Sequence, residues 1–238
     1  MNGSHSGRPG LLILAAVVAI ATATRVVLAA GAPAVGEGAA IALQGNGRGA
    51  PGCTGCHGPQ GQGNSAAGYP RLAGLSAAYL DEQLGAFASG VRKNEMMLPV
   101  ATALSPTERA SLGAYFSGLR PVAAPPASEP QVEGSAASVQ AGRALGEHGR
   151  WSVGLPACEQ CHGPSGVGVG TAFPPLAGQP SSYLVNQLEA WKQGARPPGP
   201  LGLMSAVAGK LSEADIGAVA AYYSNQPATP PAAKEGQR

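Results

Sequence analysis

The pentapeptide Cys-x-x-Cys-His occurs twice in this chain, as Cys53-Thr54-Gly55-Cys56-His57 and as Cys158-Glu159-Gln160-Cys161-His162, and it uses all four cysteines. C-x-x-C-H is the attachment signature of c-type haem. Two thiols three positions apart can each form a thioether with one vinyl group of the same porphyrin, and the histidine that follows can ligate the iron from the proximal side. The expectation is two covalently attached haem c groups, held by Cys53 and Cys56 and by Cys158 and Cys161, with His57 and His162 as proximal ligands. Two other readings share these cysteines: a Cys₄ zinc site and a pair of redox dithiols. Zinc pairs usually lie about 15–20 residues apart, whereas these lie 105 apart. A zinc ribbon also has no need of His directly after its second Cys, and the chain has only four His.

The N-terminus reads as targeting. Arg8 precedes the run Leu11–Thr24, whose fourteen apolar or small residues suit a signal peptide and are short for a membrane span. Small-x-small cleavage sites stand at Ala21-Thr22-Ala23 and Ala32-Pro33-Ala34. Arg25 interrupts the run and Val26–Ala30 resumes it, so residues 1–34 are either a cleaved signal or an N-terminal membrane anchor. Both imply export, and the expected location is the periplasm. Without residues 1–34 the basic count falls from 15 to 13 against 13 acids, which leaves no basic surplus for nucleic acid.

The remainder is a duplication. Tyr69-Pro70-Arg71-Leu72-Ala73-Gly74 returns as Phe173-Pro174-Pro175-Leu176-Ala177-Gly178, and Tyr79-Leu80-x-x-Gln83-Leu84 as Tyr183-Leu184-x-x-Gln187-Leu188, both 104 positions on. Leu104-Ser105 returns 107 on, as Leu211-Ser212, so the second copy carries three extra residues around Arg196–Pro200. A period of this length is a domain rather than a solenoid unit. The expected organisation is a first domain at 35–120, a Pro-rich linker at 121–133, a second domain at 134–227 and a tail at 228–238. Such a linker implies two semi-independent units.

Each copy reads as all-α. Ser105-Pro106-Thr107-Glu108 is a capping box with Pro at the first helical position, and it predicts a helix to about Gly118. Ser212-Glu213-Ala214-Asp215 repeats the signal. Leu80, Leu84 and Phe87 recur at helical spacing over 76–89, with a counterpart over 181–194. Short helices are expected before each haem motif, near 38–44 and 135–148. No alternating strand pattern stands out.

A six-coordinate haem needs a second axial ligand. Of the methionines other than Met1, Met97 and Met204 each stand eight residues before the duplicated capping serine, which makes them the candidate distal ligands. Met96 is the neighbour that a one-residue slip would select. His148, the one histidine outside the motifs after residue 34, cannot serve two haems and reads as a surface residue. Pro70 and Pro174 begin segments that could orient the histidines or form plain turns. Tyr79, Tyr183, Trp191 and Tyr222 could reach haem propionates or simply fill the core.

With these motifs in place, the chain resembles the dihaem class I cytochromes c, and most closely the cytochrome c4 family, over about residues 36–226. The resemblance implies two all-α cytochrome folds facing each other, His/Met ligation in both, and periplasmic electron transfer toward a terminal oxidase from an upstream cytochrome or dehydrogenase. The leading reading is therefore a non-enzymatic electron carrier. The alternatives are a cytochrome subunit of a membrane dehydrogenase or oxidase complex and a dihaem peroxidase-type enzyme, which would need a releasable distal position.

Overall fold

The computed structural model describes residues 1–3, 35–122 and 135–228. The apolar N-terminal run, most of the linker and nearly all of the tail lie outside these residues, and so do the expectations of a signal, an anchor and a flexible tail. Among the described residues no helix is long and apolar enough to cross a membrane.

Among the described residues ten α-helices follow one another, five to each repeat. The first repeat holds α1 (Val35–Gln44), α2 (Thr54–His57), α3 (Ala77–Ala88), α4 (Met97–Thr102) and α5 (Pro106–Gly118). The second holds α6 (Ala136–His148), α7 (Glu159–His162), α8 (Ser181–Lys192), α9 (Leu203–Ala208) and α10 (Glu213–Ser224). No strand forms among the described residues; only isolated bridges such as Asn64 to Tyr69 and Val169 to Phe173 pair extended backbone.

The capping signals act as the sequence predicts. Ser105 Oγ accepts from the Glu108 amide while Glu108 Oε2 accepts from the Ser105 amide, which satisfies two otherwise orphaned donors at the start of α5. Ser212 and Asp215 repeat the exchange on α10. The three extra residues of the second repeat are absorbed in a tight 3₁₀ turn, Pro200–Gly202, just before α9.

Each repeat has its own core. Leu80, Leu112 and Phe116 are central to the first, and Leu184, Ile216 and Tyr223 to the second. In both, the first helix crosses the last almost backbone to backbone. A Cβ on Gly38 would fall 2.1 Å from Ser111 O, and one on Gly142 would fall 2.0 Å from Ala218 O. Only glycine permits that approach.

The repeats are joined more closely than a semi-rigid linker implies. Ser182 Oγ donates to Ser65 O at 3.0 Å and Ser76 Oγ to Thr171 O at 3.3 Å. Further bonds made by Arg71, Arg92, Arg196 and Gln179 are buried at the same boundary.

Candidate haem sites

In each repeat the motif folds into a single helical turn. Cys53 caps α2 and Cys158 caps α7, and the His57 and His162 amides donate to the carbonyls of those cysteines, both at 2.9 Å. One turn puts the thiols at i and i+3 on one side and the imidazole directly above the first of them. Gly58 and Gly163, at φ 85° and 74°, end the turn in conformations that favour glycine.

Both imidazoles are oriented in the same way. His57 Nδ1 donates to Pro70 O at 2.9 Å, and His162 Nδ1 donates to Pro174 O at 2.8 Å. A carbonyl can only accept, so the proton sits on Nδ1 and Nε2 keeps its lone pair for a metal. Burial lowers both histidine pKa values, which keeps the rings neutral as ligation requires. Pro70 and Pro174 thus do more than turn the chain: each supplies the carbonyl that orients the histidine of its motif.

Burial pushes the Cys53 thiol up to about 11 and raises that of Cys158. No three His, Cys, Asp or Glu converge on a metal-holding position among the described residues, which include all four cysteines. The Cys₄ zinc reading is thereby set aside.

Met97 opens α4 and Met204 is the second residue of α9, both half-buried, whereas Met96 is 63% exposed. Asn94 Oδ1 caps the turn by accepting from the Met96 and Met97 amides. No hydrogen bond ties either methionine to the histidines. His148 projects from the end of α6 with 77% of its side chain exposed, a surface residue as expected.

Sequence reasoning missed a cluster of arginines between the repeats. Arg92 Nη1 donates to Gln83 Oε1 at 2.7 Å, and its Nη2 donates to Tyr183 Oη at 3.2 Å and to Gln187 Oε1. Arg196 donates to Tyr79 Oη, Gln83 Oε1 and Gln187 Oε1, each at 3.1 Å. The guanidinium of Arg92 stacks on Phe87 at 4.4 Å and that of Arg196 on Trp191 at 3.8 Å. Both arginines are more than nine-tenths buried, and all their hydrogen-bond partners are neutral. Two buried like charges sharing neutral oxygens call for anions, and two haems bring four propionate carboxylates. The residues present therefore fit the cofactor: cysteines for its edge, an oriented histidine for its iron, and two buried arginines whose charge its acid groups would offset. The visible signal was the recurrence of Arg92 as Arg196, 104 positions on; what it lacked was any indication that the two faces meet.

The family model described as "Cytochrome c" matches residues 37–120, and "Cytochrome C oxidase, cbb3-type, subunit III" matches 150–222. A thiosulfate dehydrogenase electron acceptor from Thiomonas intermedia is 46% identical, over 75% of this chain and 80% of its own length. A cytochrome c4 from Azotobacter vinelandii is 35% identical, over 82% and 89%. Among solved structures, the thiosulfate dehydrogenase TsdBA from Marichromatium purpuratum superposes with a TM-score of 0.74 at 42% identity, covering 86% of this chain but 44% of that longer one. Reduced cytochrome c4 from Pseudomonas stutzeri superposes with a TM-score of 0.70 at 30% identity, covering 82% of this chain and 100% of its own. Two all-α cytochrome c domains, each with an intact attachment motif, carry two covalently bound haem c groups, and the chain belongs to the cytochrome c4 family of dihaem electron-transfer proteins.

Proposed function

We propose that this chain is an exported, non-catalytic carrier that takes single electrons from a thiosulfate-oxidising dehydrogenase and hands them to a downstream acceptor such as a terminal oxidase. His57 and Met97 are the axial ligands in the first domain, and His162 and Met204 in the second. Each haem, when bound, takes up and releases one electron at its iron. The protein's part is to hold the ligands, exclude water and set the surrounding charge. The observation that carries the reading is the matched pair of histidine-to-proline bonds, made alike in two domains that meet through Arg92 and Arg196. Two equivalent centres in one molecule suit a donor whose substrate loses electrons in pairs. The donor class is suggested by the relatives named as thiosulfate dehydrogenase electron acceptors.

Mixing the oxidised holoprotein with a thiosulfate dehydrogenase and thiosulfate in a stopped-flow cell tests this. The reading expects two electrons per molecule, seen in the haem α-bands, and the weak sulfur-to-iron charge-transfer band of Met-ligated ferric haem before mixing. Fast reduction by other donors but none by this one would overturn the donor assignment. Turnover of peroxide by the native protein, without the charge-transfer band, would favour the peroxidase-type alternative.

A further inference from the structure

We propose that Gln179, a residue of the second domain, is a positioning residue for the proximal histidine of the first, acting through the single peptide unit that joins Pro70 to Arg71. The C=O of that unit accepts from His57 Nδ1 at 2.9 Å, and its N–H donates to Gln179 Oε1 at 3.0 Å. Gln179 Nε2 in turn donates to Arg71 O at 3.0 Å, so one amide side chain grips the Arg71 backbone at both of its polar atoms. The orientation of that side chain is fixed by its partners, because a backbone N–H can only donate and a carbonyl can only accept. Arg71 is fully buried and Gln179 is 3% exposed, so no water competes for these bonds. The Arg71 guanidinium adds a second tie across the boundary, to Ala177 O at 2.8 Å.

The resulting chain of bonds runs from the imidazole N–H, through one amide, to the carboxamide of the other domain. Hydrogen bonds in series polarise one another. An N–H that is itself bonded makes its own carbonyl a stronger acceptor, and a stronger acceptor on Nδ1–H makes the histidine a more basic ligand. A more basic ligand favours the ferric state and lowers the potential of the first haem.

The second domain cannot return the effect. His162 Nδ1 donates to Pro174 O at 2.8 Å, but that carbonyl belongs to an amide whose nitrogen is Pro175 and carries no proton. The place equivalent to Gln179, 104 positions back, holds Leu75, which is buried in the first core. Two proximal sites that match in their first bond therefore differ in their second, and the first haem alone is wired to the neighbouring domain.

The proposal rests on His57 being the proximal ligand. Its test is the full-length holoprotein carrying Gln179→Leu, the residue found in the other repeat. The two midpoint potentials are read by spectroelectrochemical titration and assigned to haems by paramagnetic NMR. The expected result is a roughly three- to tenfold rise in the first haem's equilibrium constant for reduction, of which tenfold is about 59 mV, with the second haem unmoved. Ser182→Ala, which removes a bond across the same boundary but off this path, is expected to move neither. An unmoved first haem, an equal shift of both, or the same shift in Ser182→Ala would overturn the proposal. Should Gln179→Leu fail to mature, the reduced native protein decides. The His57 Nδ1 proton is expected downfield of that of His162, and coincident shifts would overturn the relay. Absence of histidine ligation at the first haem of the native protein would instead remove the ligand assignment itself.

Discussion

Gly142→Ala on α6 sets two effects of opposite sign against each other. In an unencumbered helix the change gains up to about 1 kcal/mol, since glycine is the weaker helix former. Here the new Cβ would stand 2.0 Å from Ala218 O and 2.5 Å from its carbonyl carbon. Carbon–oxygen contacts settle at about 3.3 Å or more, so α6 and α10 would have to part by about 1 Å along much of their crossing. Overpacking on this scale typically costs about 1–3 kcal/mol, which exceeds the propensity gain. For a domain of this size about 2 kcal/mol lowers the melting temperature by on the order of 10 °C. Gly217→Ala is the internal control: it lies on α10 of the same helix pair, and its Cβ would meet nothing within 4 Å. It should leave the melting temperature unchanged or raise it. Thermal unfolding of both holoproteins, followed by far-UV circular dichroism, reads the two signs directly. A Gly142→Ala protein as stable as the native one, or a Gly217→Ala protein as damaged as Gly142→Ala, would refute the argument that close helix approach fixes this glycine.

Met97→Ala and Met204→Ala should each convert only their own haem to a high-spin or water-ligated form and lower its potential, while Met96→Ala leaves the optical spectrum unchanged; the reverse at 96 and 97 would show a ligand one residue earlier. Replacing Arg92 or Arg196 by Gln removes a buried positive charge from the domain boundary and should lower both midpoint potentials, since a nearby cation favours the reduced, less positive state; potentiometric titration checks this. Arg150 donates to both oxygens of Asp215, at 3.0 and 2.7 Å, and these bonds hold the Asp215 carboxyl below the usual carboxylate range. A depressed folded-state pKa contributes stability that is present above the ordinary value of about 4 and is lost as pH falls below it. Asp215→Asn should therefore flatten the acid limb of a denaturant-midpoint series by about 0.5–1 kcal/mol, a small effect because the pair is partly solvated.

The local features of this fold were legible because their physics is local. The C-x-x-C-H spacing fits one helical turn, and α2 and α7 are single turns. The Ser105 and Ser212 boxes announced α5 and α10. The contacts between the repeats were not legible. Arg71, Gln179, Arg92 and Arg196 look like ordinary polar residues in the sequence, and their burial follows only from which faces meet. The Pro-rich linker suggested semi-independent units, yet a fully buried Arg71 donates across the boundary to Ala177 O. Linker composition carries no information about the surfaces it connects.

The arginine cluster obeys the rule of a two-fold dimer interface, although it lies within one chain. Arg92 reaches Tyr183 and Arg196 reaches Tyr79, and both arginines share Gln83 and Gln187; Arg92 and Arg196, Tyr79 and Tyr183, and Gln83 and Gln187 each stand 104 positions apart. A contact in which position i meets j while j meets i is isologous, the pattern by which identical subunits pair with themselves. The chain thus carries within itself the symmetry by which two like domains pair. Arg71 facing Gln179, where the mirrored pair is Pro175 and Leu75, departs from that symmetry. A homodimer could not hold such a one-sided pair, because each of its residues appears on both sides at once.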